Sequence, residues 1–298
     1  MFERLPPIPS SQDLIDRAFR RGARAGQADR DLNSTVRTAG SILSDNLAQT
    51  VRKFPSFEGL PPFYRDLAEA VVGVDQMRIH LSRVSWAAKQ IRKVAKESSR
   101  SRAGPRGALG RMASVMRSID KDLEFLDDAS RKLRHLPGID PTKPTLIVAG
   151  YPNVGKSSFL VRVTGARPEI ASYPFTTQGL VVGHLEHKGT RVQVVDTPGL
   201  LDRPMAQRNR IELQAVTALS HLPGAIIFIL DPSEHSGFPV ADQLRLLEEI
   251  RSSFPQPVVL AANKADLVSY DAALQMSTLS GKGVKEALDA ALGLLDLP

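Results

Sequence analysis

Thr145-Leu146-Ile147-Val148-Ala149-Gly150-Tyr151-Pro152-Asn153-Val154-Gly155-Lys156-Ser157-Ser158 is the stretch that decides the fold of this chain. Its first five residues form a short apolar run of the kind that makes a buried strand. The next eight fit the pattern GxxxxGK[ST], in which a glycine-containing turn joins a strand to a helix. Each position has a physical reason. The glycines let the backbone N–H groups around Asn153, Val154 and Gly155 turn inward on phosphate oxygens, with Ser158 following in the first helical turn. Lys156 brings a point charge to β/γ oxygens, and Ser157 offers a hydroxyl to Mg²⁺. A chance match somewhere in a chain of 298 residues has odds of roughly one per cent. The strand before it lowers those odds further.

Downstream, strands and helices continue to alternate. Arg191 to Val195, Ala225 to Leu230 and Val258 to Ala262 are short apolar runs, and helical patterning lies near 156 to 164, 206 to 220, 239 to 253 and 283 to 294. This predicts an α/β domain over 141–298, a mostly parallel sheet covered by helices on both faces. Open sheets of this kind present ligands at the carboxyl ends of their strands. Asp196-Thr197-Pro198-Gly199 stands at such an end, some 40 residues after Lys156. There Asp196 can hold Mg²⁺ through its water shell, and the Gly199 N–H can meet a γ-phosphate. The loop Asp231 to Gly237 follows another strand at the same edge. Nothing around its Glu and His supplies a nucleophile or a substrate pocket, so it reads as a conformational loop beside the ligand.

Upstream, three prolines and a glycine in Pro137 to Pro144 mark a linker, and the residues before it show almost no strand signal. Helices are predicted over 11 to 27, 31 to 53, 62 to 99 and 108 to 136. Pro55, Pro61-Pro62 and a Gly104-Pro105-Arg106-Gly107 turn separate them. Met112, Val115, Met116, Ile119, Leu123 and Leu126 recur at three- and four-residue steps, as in a bundle. An all-α helical domain over 1–140 is therefore expected. Trp86, Phe63 and Tyr64 are expected in its core or in interdomain packing, not as a base-stacking platform.

Charge separates the halves. Residues 1 to 140 carry 25 Lys/Arg against 17 Asp/Glu, and the remainder 14 against 15. The basic excess predicts a polyanionic partner for the helical half, and charge alone admits RNA, DNA or an acidic membrane surface. It is densest between Arg83 and Arg117, with ten Lys/Arg and one acid, Glu97. The chain has no cysteine, which excludes disulfides and thiolate metal sites. No run approaches the roughly 18–20 apolar residues of a spanning helix, and residues 1 to 10 lack an apolar signal segment, so a cytoplasmic protein is expected.

Asn263-Lys264-Ala265-Asp266 resembles the guanine-specificity motif of GTPases. There the Asp accepts two hydrogen bonds from the base, the Lys stem covers its face and the Asn braces the loop. GTP and GDP are thereby preferred to adenine nucleotides. Ser277-Thr278-Leu279 lies where that family offers a backbone N–H to the guanine O6. Only ten residues, Leu267 to Met276, intervene, so a helix usual there is expected to be shortened or lost. Tyr173-Pro174-Phe175-Thr176-Thr177 is similar to the Obg superfamily, whose second threonine, here Thr177 with Thr176 as the fallback, coordinates Mg²⁺ and senses the γ-phosphate. In the helical half, Leu60 to Leu67, Val84 to Lys89 and Gly110 to Val115 resemble the nucleolar GTP-binding (Nog-type) branch in its compact archaeal-like form. The resemblance implies a P-loop GTPase domain after a helical domain that contacts ribosomal RNA. It also implies a role on large ribosomal subunit precursors, with no membrane partner, and a monomer is expected. Ser157, Thr177 and Asp196 are then the Mg²⁺ residues, and Lys156, Thr177 and Gly199 the catalytic ones.

Leu200 stands where many small GTPases carry a glutamine that orients the attacking water. An apolar side chain cannot do this, so intrinsic hydrolysis is expected at or below the order of 10⁻⁴ to 10⁻³ per second. Some Obg relatives recruit K⁺ through a phosphate-loop asparagine, the place of Asn153 here, which could equally stabilise only the turn. The sequence reading is a GTP-hydrolysing switch; the alternative is a nucleotide-gated RNA-binding scaffold with negligible hydrolysis.

Overall fold

The computed structural model describes the chain except residues 1, 3, 99–103, 166–168, 172, 174–178 and 296–298. By packing, it falls into two compact units. One comprises Met1–Gly59 with Val71–Arg134, the other Leu60–Ala70 with His135–Pro298.

The first unit is helical. α1 (Ser11–Asp29) starts at Ser10, whose side chain accepts from the Asp13 N–H at 3.1 Å, and α2 (Leu32–Lys53) at Asp31, which accepts from Asn33 N at 2.9 Å. α1 buries Leu14, Ile15, Ala18 and Gly22 along one face, and α2 buries Val36, Ala39, Leu43 and Leu47. The single helix predicted over 62 to 99 is two, α3 (Pro62–Val72) and α4 (Val74–Glu97). Gly73 lies between them at φ +71, a conformation that ends one helix and that glycine adopts without strain. The stretch predicted as a Gly-Pro-Arg-Gly turn instead opens α5 (Gly104–Ser118). Pro105 is tolerated there because first-turn N–H groups have no intrahelical partner. The predicted run to 136 also divides, with α6 (Asp120–Arg134) starting after Ile119. Acids in its first turn and bases in its last suit the helix dipole. The apolar stripe Met112, Met116, Ile119, Leu123 and Leu126 is buried. Trp86 departs from expectation: Phe63 and Tyr64 are buried, but Trp86 is 50% exposed on α4. Its neighbours in the chain, Ala87 and Ala88, supply the buried contacts of that turn.

The second unit is an α/β sheet of six strands in the order β2-β3-β4-β1-β5-β6. The strands are β1 (Thr145–Ala149), β2 (Glu169–Ala171), β3 (Leu180–His187), β4 (Thr190–Asp196), β5 (Gly224–Leu230) and β6 (Val258–Ala262). β1 pairs in parallel with β4 and β5, and β5 with β6, whereas β2 and β3 add an antiparallel edge. Neither edge strand was predicted. β3 is joined to β4 by the two-residue turn Lys188-Gly189, both at positive φ, the geometry of a tight hairpin. Helices α7 (Lys156–Thr164), α8 (Arg210–Leu219), α9 (Val240–Ser253) and α10 (Val284–Leu292) complete the unit. The segment Leu60–Ala70 packs here: Tyr64 Oη lies 2.9 and 2.7 Å from the carbonyls of Pro137 and Ile139, and Asp66 lies 2.8 Å from His221 Nε2. Among the described residues no helix is long and apolar enough to cross a membrane.

Leu43 is fully buried on α2, which packs against both α1 and α4. Leu43→Ala should cost about 2–5 kcal/mol. Urea denaturation followed by circular dichroism checks this, and a loss under about 1 kcal/mol would show that the site closes over the deletion.

Candidate functional site

The ends of β1 and β4 converge on a polar cavity of about 350 Å³ whose lining includes Asn153, Lys156, Ser157, Asp196 and Gly199. Gly155, at φ +105, precedes α7, and a Cβ there would sit 2.2 Å from Asn263 Nδ2. No other residue type permits so close an approach of the phosphate loop to the loop after β6. Asn153 is exposed at φ +62, Val154 is buried, and Ser158 is exposed in the first turn of α7.

Lys156 is only 7% exposed, and its Nζ donates to the carbonyls of Gly150 and Tyr151, both at 2.8 Å. Burial lowers its pKa, and Asp196 and Asp202 oppose the shift. Ser157 Oγ donates to Asp196 Oδ2 at 2.6 Å. Asp196 is fully buried, and its Oδ1 has no hydrogen-bond partner. Burial raises its pKa, against the Ser157 hydrogen bond and the Lys156 charge. A buried carboxylate oxygen without a partner beside a serine hydroxyl is a hard oxygen set suited to Mg²⁺ and its water shell. Thr197 Oγ1 donates to Val148 O at 3.0 Å and fixes the start of the next loop. Leu200 is 1% exposed and packs into the core. Thr176 and Thr177 lie outside the described residues.

Asn263 ties the second end of the site together. Its Nδ2 donates to Val154 O at 2.8 Å and lies 3.0 Å from Thr278 Oγ1, while its Oδ1 accepts from Thr278 N at 2.9 Å. The Ser277-Thr278-Leu279 segment is thus beside the Asn263 loop although residues 267–276 contain no helix. Gln275 instead bridges in parallel to Ala262, which shortens the path. Ser277 is buried and its Oγ accepts from Ser280 N at 3.2 Å, whereas Leu279 is 81% exposed. Asp266 is exposed, and Lys264, at φ +61, places its Nζ 2.6 Å from Asp231 Oδ2.

Three residues at this end or in the cavity carry no motif. Arg162 donates to the carbonyls of Thr278 and Leu279 at 2.9 and 2.7 Å, fixing that loop by its backbone. Asp231, fully buried, gathers Lys264 Nζ, Ser233 N at 3.0 Å and Ser236 N at 2.7 Å, so the loop expected to be conformational is pinned at its root. Asp202 accepts from Gly199 N at 2.7 Å. Only its place three residues after Gly199 could have drawn attention to it.

A phosphate-cradling loop between a central parallel strand and a helix, with an Asp-x-x-Gly loop on the neighbouring strand, defines a P-loop GTPase-like domain, here alongside a helical unit. The family model for the NOG1 N-terminal helical domain matches residues 2–140, and that for nucleolar GTP-binding protein 1 matches residues 210–266. An uncharacterized protein of Methanocaldococcus jannaschii is 38% identical over 91% of this chain and 82% of its own length. Nucleolar GTP-binding protein 1 of Caenorhabditis elegans is 36% identical over 89% of this chain and 42% of its own. A Plasmodium falciparum crystal structure described as a nucleolar GTP-binding protein 1 is 40% identical, over 53% of this chain and 89% of that one, with a TM-score of 0.49. The chain belongs to the nucleolar GTP-binding protein 1 family. It spans half or less of the length of the eukaryotic members it matches here.

Burial alone would raise the Asp231 pKa, but the hydrogen bonds from Lys264, Ser233 and Ser236 outweigh it and hold the carboxyl below its ordinary value. A folded value below the unfolded one of about 3.9 means stability that is present above that pH and lost as pH falls through the folded value. Asp231→Asn should therefore be less stable at neutral pH, with a shallower decline of stability below about pH 4. Denaturant melts across pH measure both, and parallel pH profiles for the two proteins would exclude Asp231 as the source.

Proposed function

We propose that this chain is a GTP-binding and GTP-hydrolysing switch that acts on precursors of the large ribosomal subunit, with its basic helical unit on ribosomal RNA. The observation that carries the reading is the Asn263 carboxamide, which joins the phosphate loop to both loops expected around guanine. Asp266 accepts from the base, the Lys264 stem covers its face, and a backbone N–H of the Ser277 to Leu279 loop meets its O6. Lys156 leaves its two loop carbonyls for the β/γ oxygens. Ser157, Asp196 and Thr177 would hold Mg²⁺, which when bound would neutralise phosphate charge. Gly199 N–H and Thr177 sense the γ-phosphate, so that hydrolysis releases their loops.

Leu200 positions no water, so the intrinsic rate is slow. Its burial also favours the second reading, a scaffold that binds nucleotide and RNA but hardly hydrolyses. K⁺ held through Asn153 would supply part of the missing charge. The decisive measurement is multiple-turnover GTP hydrolysis in K⁺ and in Na⁺, with and without large ribosomal subunits or their precursors. A switch shows marked stimulation by the particles and loses it in Lys156→Ala. Tight GTP binding with no stimulation in any condition supports the scaffold. Equal turnover in the two salts removes K⁺ from the mechanism.

The exposed face of α4 supports an RNA contact. Lys89, Lys93 and Lys96 lie exposed along it with Trp86, whose half-exposed ring offers a stacking surface. Phosphate contacts of this kind are salt-dependent. The triple change of Lys89, Lys93 and Lys96 to Gln should weaken binding to ribosomal RNA fragments and reduce the slope of log affinity against log salt by up to about 3. An unchanged slope would place the contact elsewhere.

A further inference from the structure

Gly199 is the residue whose backbone N–H the Asp-x-x-Gly loop offers to a γ-phosphate. In this structure that N–H is already used: it donates to Asp202 Oδ2 at 2.7 Å. The same residue is held from its other side, since Arg208 donates to the Gly199 carbonyl at 3.3 Å. Arg208 is 7% exposed, and its second amino group is fixed on Arg203 O at 2.9 Å. Between them the chain has little freedom. Leu200 and Leu201 are buried, and the Leu201 carbonyl accepts from Gly150 N at 3.0 Å, which ties this turn to the phosphate loop.

Asp202 also lines the phosphate cavity together with Lys156, Ser157 and Asp196. Its carboxylate and a γ-phosphate are both acceptor-only anions, and a single N–H cannot serve both. They also repel each other in a partly enclosed space. The diphosphate end of GDP makes no demand on Gly199, so this contact discriminates between the two nucleotides.

We propose that Asp202 is a built-in surrogate for the γ-phosphate, a specificity-determining carboxylate that occupies Gly199 in the absence of triphosphate and must be expelled before GTP can engage the loop. The proposal rests on the guanine-nucleotide reading above. It gives the loop two exclusive arrangements, one closed on its own carboxylate and one closed on the nucleotide. It also biases the site toward GDP, as a switch that awaits an activating surface requires.

The bland role for Asp202 is a local brace of the turn, and the test separates the two. Affinities for GDP and for the imido analogue of GTP are measured by titration with Mg²⁺ on the full chain, on Asp202→Asn and on Asp202→Ala. Asn keeps an acceptor oxygen but removes the charge, and Ala removes both. The expected result is a preference for the triphosphate analogue over GDP raised at least about 10-fold in both variants, beyond any change the lost charge makes to both affinities alike. Parallel weakening of both nucleotides means a brace and overturns the inference, as does an unmoved ratio. GDP binding reports whether each variant is folded, and the two variants differ enough in packing that one suffices for the comparison. If the unmodified chain binds neither nucleotide, the functional reading itself fails and the Asp202 inference falls with it; intact binding with an unmoved ratio removes Asp202 alone.

Discussion

The carboxamide of Asn263 makes three contacts that no single helix or strand could make. It receives its position from β6, whose last residue immediately precedes it, and it meets a carbonyl of the phosphate loop and the backbone N–H and hydroxyl of Thr278. Buried amides of this kind contribute more by the cost of leaving them unpaired than by any net attraction. The consequence is that the loops cannot drift independently. Gly155 must lack a side chain for the amide to reach Val154, and the shortened path from Asp266 to Ser277 still ends in register because Thr278 is caught at that point. Arg162 then holds the carbonyls of Thr278 and Leu279, which fixes the backbone of that loop from its other side.

A second constraint is electrostatic. Lys156 and Asp196 are both buried in the same cavity, an arrangement that costs solvation for each charge. The lysine makes partial use of loop carbonyls, and the aspartate takes one hydroxyl and keeps an oxygen without a partner. A site in this condition is poised to exchange internal contacts for an anion and a cation together. Asp202 belongs to the same balance. It places a third charge near Lys156 and satisfies the backbone N–H of Gly199. Lys264 and Asp231 show the contrasting case, in which a close pair with several added hydrogen bonds is complete in itself and serves to fix a side-chain direction.

The helical unit is built on a different basis, from apolar stripes with capped starts, and its polar face is left to solvent. Along α4 the buried and the exposed face separate by angle. Met77, Val84, Ala87, Ala88 and Ile91 face the bundle, while Trp86 and the lysines face outward.

From the sequence alone, the strand ending in Ala149, the phosphate loop and α7 could be placed, as could β4, β5 and β6 and the three helices after them. Their periodicity and turn chemistry are local properties that a few consecutive residues suffice to set. The antiparallel edge was hidden because β3 alternates only weakly and its Lys-Gly hairpin turn is less marked than Asn-Gly. The break at Gly73 was obscured by good helical patterning on both sides. The exposure of Trp86 depends on which face of α4 the other helices cover, and no pattern within the helix specifies that. The loops that carry the motifs were legible because each motif encodes a backbone shape. Asp202, Arg208, Asp231 and Arg162 act across chain separations or through backbone atoms, so only the folded arrangement brings them to their partners. The sequence by itself determined which loops exist and what chemistry they offer; the tertiary structure alone decided which of their donors are already taken, because a hydrogen bond is satisfied by proximity and not by composition.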